Sequence, residues 1–111
     1  DHDSFLESMA EAAKTIVDYE KNIAFINVMA NMSVDCDCCA VAEDPCMKDI
    51  GILASTDPVA LDQACIDLVY NSNDPGKDHL IERIESRNGI HTIEEAEKLH
   101  VGTRNYELIK F

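Results

Sequence analysis

The chain has few basic residues and no long apolar run. Its 111 residues contain nine Lys and Arg against 22 Asp and Glu, which gives a formal net charge of −13. Nucleic-acid backbones and anionic membrane surfaces would repel this charge, so we expect neither as a partner. A membrane-spanning helix is not expected either, because no stretch of about eighteen consecutive apolar residues is present. No signal peptide is visible.

Glycine is also scarce, with four residues in the whole chain. The turn at 55–58 has no glycine-rich loop of the kind whose backbone wraps phosphate groups. We therefore expect Asp57 to cap a helix there rather than to help bind an anion. The chain begins at Asp1 without a methionine, which favours a piece of a longer protein.

The hydrophobic pattern predicts a single domain over residues 1–111, in the α/β class. We expect a small mixed β-sheet of about three strands packed with about four helices. The predicted helices cover, in chain order, 3–19, 58–70, 77–87 and 92–101. The predicted strands cover 23–29, 50–54 and 106–111.

Local patterns in these elements predict two helix starts and the burial of one strand. Ser4 with Glu7, and Thr92 with Glu95, have the spacing of a capping box at a helix start. The strand at 23–29 is apolar at successive positions, which predicts a central strand buried on both faces.

The loop at 35–49 is the most unusual part of the chain, with four cysteines and five carboxylates in fifteen residues. A disulfide framework is disfavoured, because the chain has five cysteines and four of them are crowded together. Thiols with carboxylates are typical ligands of metal ions and iron–sulfur clusters, and a reducing cytoplasmic location suits them. The predicted ligands are Cys36, Cys38, Cys39 and Cys46, with Asp49 and His2 as additional candidates.

The spacing of Cys36 and Cys38 bears on the kind of metal centre. In an extended backbone their β-carbons would lie about 6.5–7 Å apart, whereas two thiolates on one zinc ion lie about 3.8 Å apart. An extended segment therefore favours an iron–sulfur cluster, and a bent one allows zinc. The neighbouring carboxylates should keep the thiols protonated until a cation binds.

Three other interpretations stay open. The loop could hold a structural zinc ion, or it could belong to an enzyme domain that binds a small molecule between the loop and the Ser55–Asp57 turn. The loop cysteines could also be small apolar residues inside an acidic rim. Cys65 differs from them, because it lies on the apolar stripe of a predicted helix and is predicted to be a core residue.

The segments 35–38, 49–55 and 57–64 resemble the C-terminal portion of prokaryotic proteins catalogued as domain of unknown function 362, and the resemblance continues through 101–108. Members of that family are often described as iron–sulfur proteins, and many carry a separate ferredoxin-like module. The resemblance implies a cytoplasmic protein with an iron–sulfur cluster and a ferredoxin-like domain or redox partner, without an assigned reaction. Cys36 and Cys38 match the family pattern, whereas Cys39 and Cys46 are particular to this chain.

Overall fold

The computed structural model describes all residues from 1 to 111. Four helices and two strands follow one another in the order α1 (His2–Tyr19), β1 (Phe25–Met29), β2 (Gly51–Ser55), α2 (Pro58–Tyr70), α3 (Lys77–Ser86) and α4 (Ile90–Lys98). The predicted α/β class and the four helices are confirmed. None of the helices combines the length and the apolar character that crossing a membrane requires.

The sheet has two strands, not three. β1 and β2 pair antiparallel, with Phe25 opposite Ser55 and Met29 opposite Gly51. The prediction of a third strand at 106–111 is wrong, because that segment forms no backbone ladder. Its alternating pattern suits a strand, but a strand also needs a neighbouring edge, and the Tyr106 hydroxyl instead donates to Asp67 of α2 at 2.6 Å.

The prediction of a strand buried on both faces is also wrong. Helix α2 packs against one face of the sheet, where Met29 is buried and Leu53 is half-buried. On the other face Ile26, Val28 and Ile52 are 65%, 64% and 72% exposed. An apolar run in a strand shows that both faces suit burial, but whether both are covered depends on elements elsewhere in the fold.

The start of α1 differs from the prediction. Asp1 is the N-cap, and its carboxylate accepts a hydrogen bond from the Asp3 N–H at 3.0 Å. The Ser4 hydroxyl donates to the same carboxylate at 3.2 Å, so Ser4 lies inside the helix and forms no capping box with Glu7. Asp1 is an equally good cap and lies earlier in the chain, which lets the helix gain extra residues.

Two further predicted helix starts, those of α2 and α4, have opposite outcomes. Helix α4 begins at Ile90 after Gly89, so the capping box predicted at Thr92 is wrong. Asp57 caps α2 as predicted, because its Oδ1 accepts hydrogen bonds from the Val59 and Ala60 N–H groups at 2.9 and 3.1 Å.

Two small apolar clusters hold these elements together. The first lies where α1, α2 and α4 meet and consists of Ala10, Val59, Ile93, Ala96 and Val101. The second joins the sheet, the long loop and α2 through Met29, Met47 and Val69. Cys65 is half-buried against this second cluster, in the position predicted for a core residue.

Candidate functional site

The two arms of the long loop between β1 and β2 are tied together near the sheet. The Asn31 N–H, two residues beyond the end of β1, donates to the Asp49 carboxylate at 2.9 Å. The Cys46 N–H donates to the Met32 carbonyl at 2.9 Å at the next level. These bonds close the base of the loop, which we call the neck; it begins with Asn31 and Met32 on one arm and Cys46 and Asp49 on the other. The outer part of the loop projects from this base.

Helix α3 fixes the next level of the neck. The Arg83 guanidinium donates from Nη1 to the Asp35 carboxylate at 2.9 Å and to the Val34 carbonyl at 2.8 Å. The Glu43 N–H, on the opposite arm, donates to the other Asp35 oxygen at 2.9 Å. The Glu43 N–H and, second, the Arg83 guanidinium lower the pKa of Asp35. Asp35 is therefore a structural carboxylate that joins both arms of the loop to α3.

The returning arm is packed against the start of α3. Met47 is buried in the second apolar cluster, and the Lys48 N–H donates to the Asp74 carboxylate at 2.8 Å. Gly76 approaches the Cys46 carbonyl so closely that a β-carbon on Gly76 would collide with it. The backbone on both sides of Cys46 is thus held in place.

The outer part of the loop, residues 36–42, is exposed throughout and carries three thiols. We call this segment the thiol tip; its cysteines are Cys36, Cys38 and Cys39. The Cys39 N–H donates to the Cys36 carbonyl at 2.9 Å, and the Cys38 N–H points to the Cys36 sulfur at 3.5 Å. The backbone is therefore bent into a turn here, which is the geometry that allows a small metal site as well as a cluster.

The thiols of the tip interact with one another. A hydrogen bond from the Cys38 thiol, helped by the Cys38 N–H, lowers the pKa of Cys36 although the charge of Asp37 opposes this. The same thiol–thiol contact raises the pKa of Cys38. The charge of Asp37 raises the pKa of Cys36 in the predicted direction, but the hydrogen bonds to its sulfur outweigh that charge and the net effect is a lower pKa. That the thiols stay protonated until a cation binds stays a prediction.

The other three predicted ligands lie apart from this turn. The Cys46 thiol donates to the Met32 carbonyl at 3.3 Å, in the neck of the loop. Asp49 accepts the hydrogen bond from Asn31, and His2 Nε2 lies 2.7 Å from the Arg87 carbonyl at the end of α3. No set of three ligand atoms within 4.8 Å of one another includes a cysteine.

One set of three does meet that distance, and it lies elsewhere. The ligand atoms of Glu7 on α1 and of His91 and Glu95 on α4 are all within 4.8 Å of one another. The sequence pattern did not predict this set: His91 and Glu95 are four residues apart and share one face of α4, but the helix predicted at 92–101 leaves His91 outside it. Nothing in the sequence pattern points to Glu7 as their neighbour.

The Ser55–Asp57 turn, considered as part of a small-molecule site, is occupied by structural hydrogen bonds. One Asp57 oxygen caps α2, and the other accepts from the Thr103 N–H at 2.9 Å. Ser55 Oγ accepts from the Asp57 N–H at 3.0 Å. The predicted capping role of Asp57 is confirmed.

A model of one protein family matches more than half of the chain. The family is described as Domain of unknown function (DUF362), and the match covers residues 1–67. It includes the whole cysteine loop and most of α2, and it ends before the 101–108 segment of the resemblance. No curated protein and no solved structure matches the chain.

Proposed function

The chain belongs to the DUF362 family, and we propose that its thiol tip binds an iron–sulfur cluster or metal ion as a module of a redox protein. The observation that carries this proposal is the arrangement of three exposed thiols on one turn above a tied neck. The tied neck restricts the backbone that carries these thiols, so less conformational freedom is lost when they close around a metal ion or cluster.

The proton affinity of the tip thiols bears on cation binding. The Cys38 thiol and N–H lower the pKa of Cys36, which makes Cys36 easier to deprotonate than a free cysteine. A metal ion or cluster would replace the thiol protons and offset the charge of the neighbouring Asp37. Thiolate ligation is the usual way in which iron–sulfur clusters and structural zinc ions are held.

Cys46 is the fourth ligand in this proposal, and it has to move. Its thiol would leave the Met32 carbonyl and turn toward the tip. The backbone around it is anchored, so side-chain rotation is the simplest route. Asp49 and His2 serve as additional ligands only if they give up the hydrogen bonds described above.

Zinc is the second candidate, and the bend at Cys36–Cys39 favours it. A turn brings the thiols closer than an extended backbone would, and a tetrahedral zinc ion requires close sulfurs. In that case the ion would stabilise the loop, and the activity would lie elsewhere. A cluster would instead pass electrons to a ferredoxin-like domain or another redox partner, in a reducing compartment such as the cytoplasm.

Metal analysis of anaerobically purified, reduced protein tests the proposal. We expect bound iron with acid-labile sulfide, or zinc alone if the second candidate is correct. The Cys36→Ser/Cys38→Ser double variant should lose the metal, while far-UV circular dichroism shows the helices intact. Cys65→Ser is the matched control, because this cysteine lies outside the loop and should not affect metal content.

Two results would contradict the proposal. One is wild-type protein that contains neither iron nor zinc after anaerobic reconstitution. The other is a double variant that keeps the full metal content of the wild type, since the metal would then be bound elsewhere.

A further inference from the structure

The seam between α1 and α4 carries a second group of metal-ligating side chains, which we call the Glu–His–Glu cluster. It consists of Glu7, His91 and Glu95, and His91 Nε2 lies 3.6 Å from the nearer Glu7 oxygen. We propose that this cluster is a binding site for a divalent transition-metal ion such as zinc, separate from the thiol tip.

The three side chains face one another without hydrogen-bond partners. No side-chain hydrogen bond joins Glu7, His91 or Glu95 to any other group, and the 3.6 Å contact is too long to be one. The Glu95 side chain is only 13% exposed, and its one cationic neighbour is Lys98 at 3.7 Å, which is itself 77% exposed. Two carboxylates and an imidazole without hydrogen-bond partners leave three ligand atoms available to a cation, which would offset the charge of both carboxylates.

The supporting helices hold the ligands in register. His91 and Glu95 are one turn apart on α4, so their side chains leave the same face. Ala10 on α1 and Ile93 and Ala96 on α4 pack together in the first apolar cluster beside them. This packing fixes the two backbones, so a metal ion would only have to reorient the side-chain tips.

The distances are close to those of a bound ion. Zinc bonds of about 2.0–2.1 Å in a tetrahedron place neighbouring ligand atoms about 3.4 Å apart. The His91–Glu7 pair is already at 3.6 Å, and the whole set is within 4.8 Å. Rotation of the Glu7 side chain, which is 39% exposed, would close the remaining gap. The fourth position would be open to water.

The mixture of donors selects the class of ion. Carboxylates alone suit magnesium or calcium, whereas an imidazole favours zinc and its transition-metal neighbours. The absence of sulfur from this cluster also gives it a spectroscopic signature that differs from that of the thiol tip. Cobalt bound to nitrogen and oxygen lacks the sulfur-to-metal charge-transfer absorption of a thiolate site.

The test uses a background in which the four loop cysteines are replaced by serine, so that the thiol tip cannot contribute. We expect calorimetry to detect one zinc ion bound per chain, and cobalt to give visible bands without thiolate charge transfer. His91→Gln, and separately Glu7→Gln, should weaken zinc binding at least tenfold. Glu94→Gln, which removes an exposed carboxylate from the same helix, should leave zinc binding unchanged.

Failure of this test is distinguishable from failure of the thiol-tip proposal. The inference is overturned if the cysteine-free background binds no zinc, or if His91→Gln and Glu7→Gln bind it as tightly as Glu94→Gln does. Circular dichroism of each variant without metal checks that the helices are formed. Glu7→Gln alters a partly exposed residue, so it remains informative if His91→Gln disturbs folding.

Discussion

The thiol tip and the Glu–His–Glu cluster are built in opposite ways. The tip gathers Cys36, Cys38 and Cys39 from adjacent positions on an exposed turn, and polar bonds at a neck support it. The cluster joins side chains from the two ends of the chain across a packed helix seam. The ligands of the tip are neighbours in the sequence, so they can be recognised there, but their positions depend on an exposed loop. The ligands of the cluster are far apart in the sequence, so they are hard to recognise there, but their positions are set by the packed core.

The largest effect is expected from a substitution that disturbs the support of the thiol tip and leaves that of the Glu–His–Glu cluster intact. Gly76→Ala places a β-carbon against the Cys46 carbonyl, so the returning arm of the loop must shift. We expect a loss of unfolding free energy of about 1–3 kcal/mol and weaker metal binding at the tip. Zinc binding at the Glu–His–Glu cluster should be unchanged. Denaturant unfolding and metal titration measure the two effects.

Gly89→Ala is the matched control for this prediction. Both glycines precede a helix, with φ of −62° at Gly76 and −60° at Gly89, so alanine suits the backbone at either position. A β-carbon on Gly89 would meet Ile84 atoms no closer than 3.5 Å, an ordinary contact. Equal stability losses in the two variants would show that the approach of Gly76 to Cys46 does not matter.

The contrast between the regions also explains what the sequence could predict. Asp57 was identified as a helix cap because an aspartate followed by proline is a local signal, and the cysteine loop was found for the same reason. The partner of a strand is a long-range feature, so the segment at 106–111 was wrongly expected to join a sheet. His91 and Glu95 form a helical pair only because α4 begins at Ile90, before the predicted start, and the approach of Glu7 results from helix packing.

A smaller effect is expected from the link between the loop and α3. Arg83→Gln removes the charge that pairs with Asp35 and the hydrogen bond that Nη1 donates to the Val34 carbonyl. Because the pair is partly exposed, the stability should fall by only about 0–1 kcal/mol. The loop itself should respond more strongly, with faster amide hydrogen exchange at Glu43, whose N–H is bonded to Asp35.

Arg87→Gln provides the comparison for this effect. Arg87 follows one turn later and is exposed, and its side chain forms no hydrogen bond or ion pair with the loop. It should leave the exchange of the Glu43 amide at the wild-type rate. An unchanged rate in Arg83→Gln as well would mean that the bonds within the loop suffice to hold it.

The smallest effect concerns proton sharing within the metal-free tip. The pKa of Cys36 is lowered by the Cys38 thiol and N–H, so Cys36 should be alkylated at lower pH than Cys38, whose pKa is raised. Cys38→Ala removes the thiol donor but keeps the N–H, so the pKa of Cys36 should rise part of the way back and its labelling near neutral pH should slow.

Cys39→Ala is the control, because it removes a thiol that contacts Cys38 and should leave the labelling rate at Cys36 nearly unchanged. Site-resolved mass spectrometry across a pH series distinguishes these rates, and if Cys36 reacts no faster than Cys38, the thiols act independently and the turn does not prepare them for a metal.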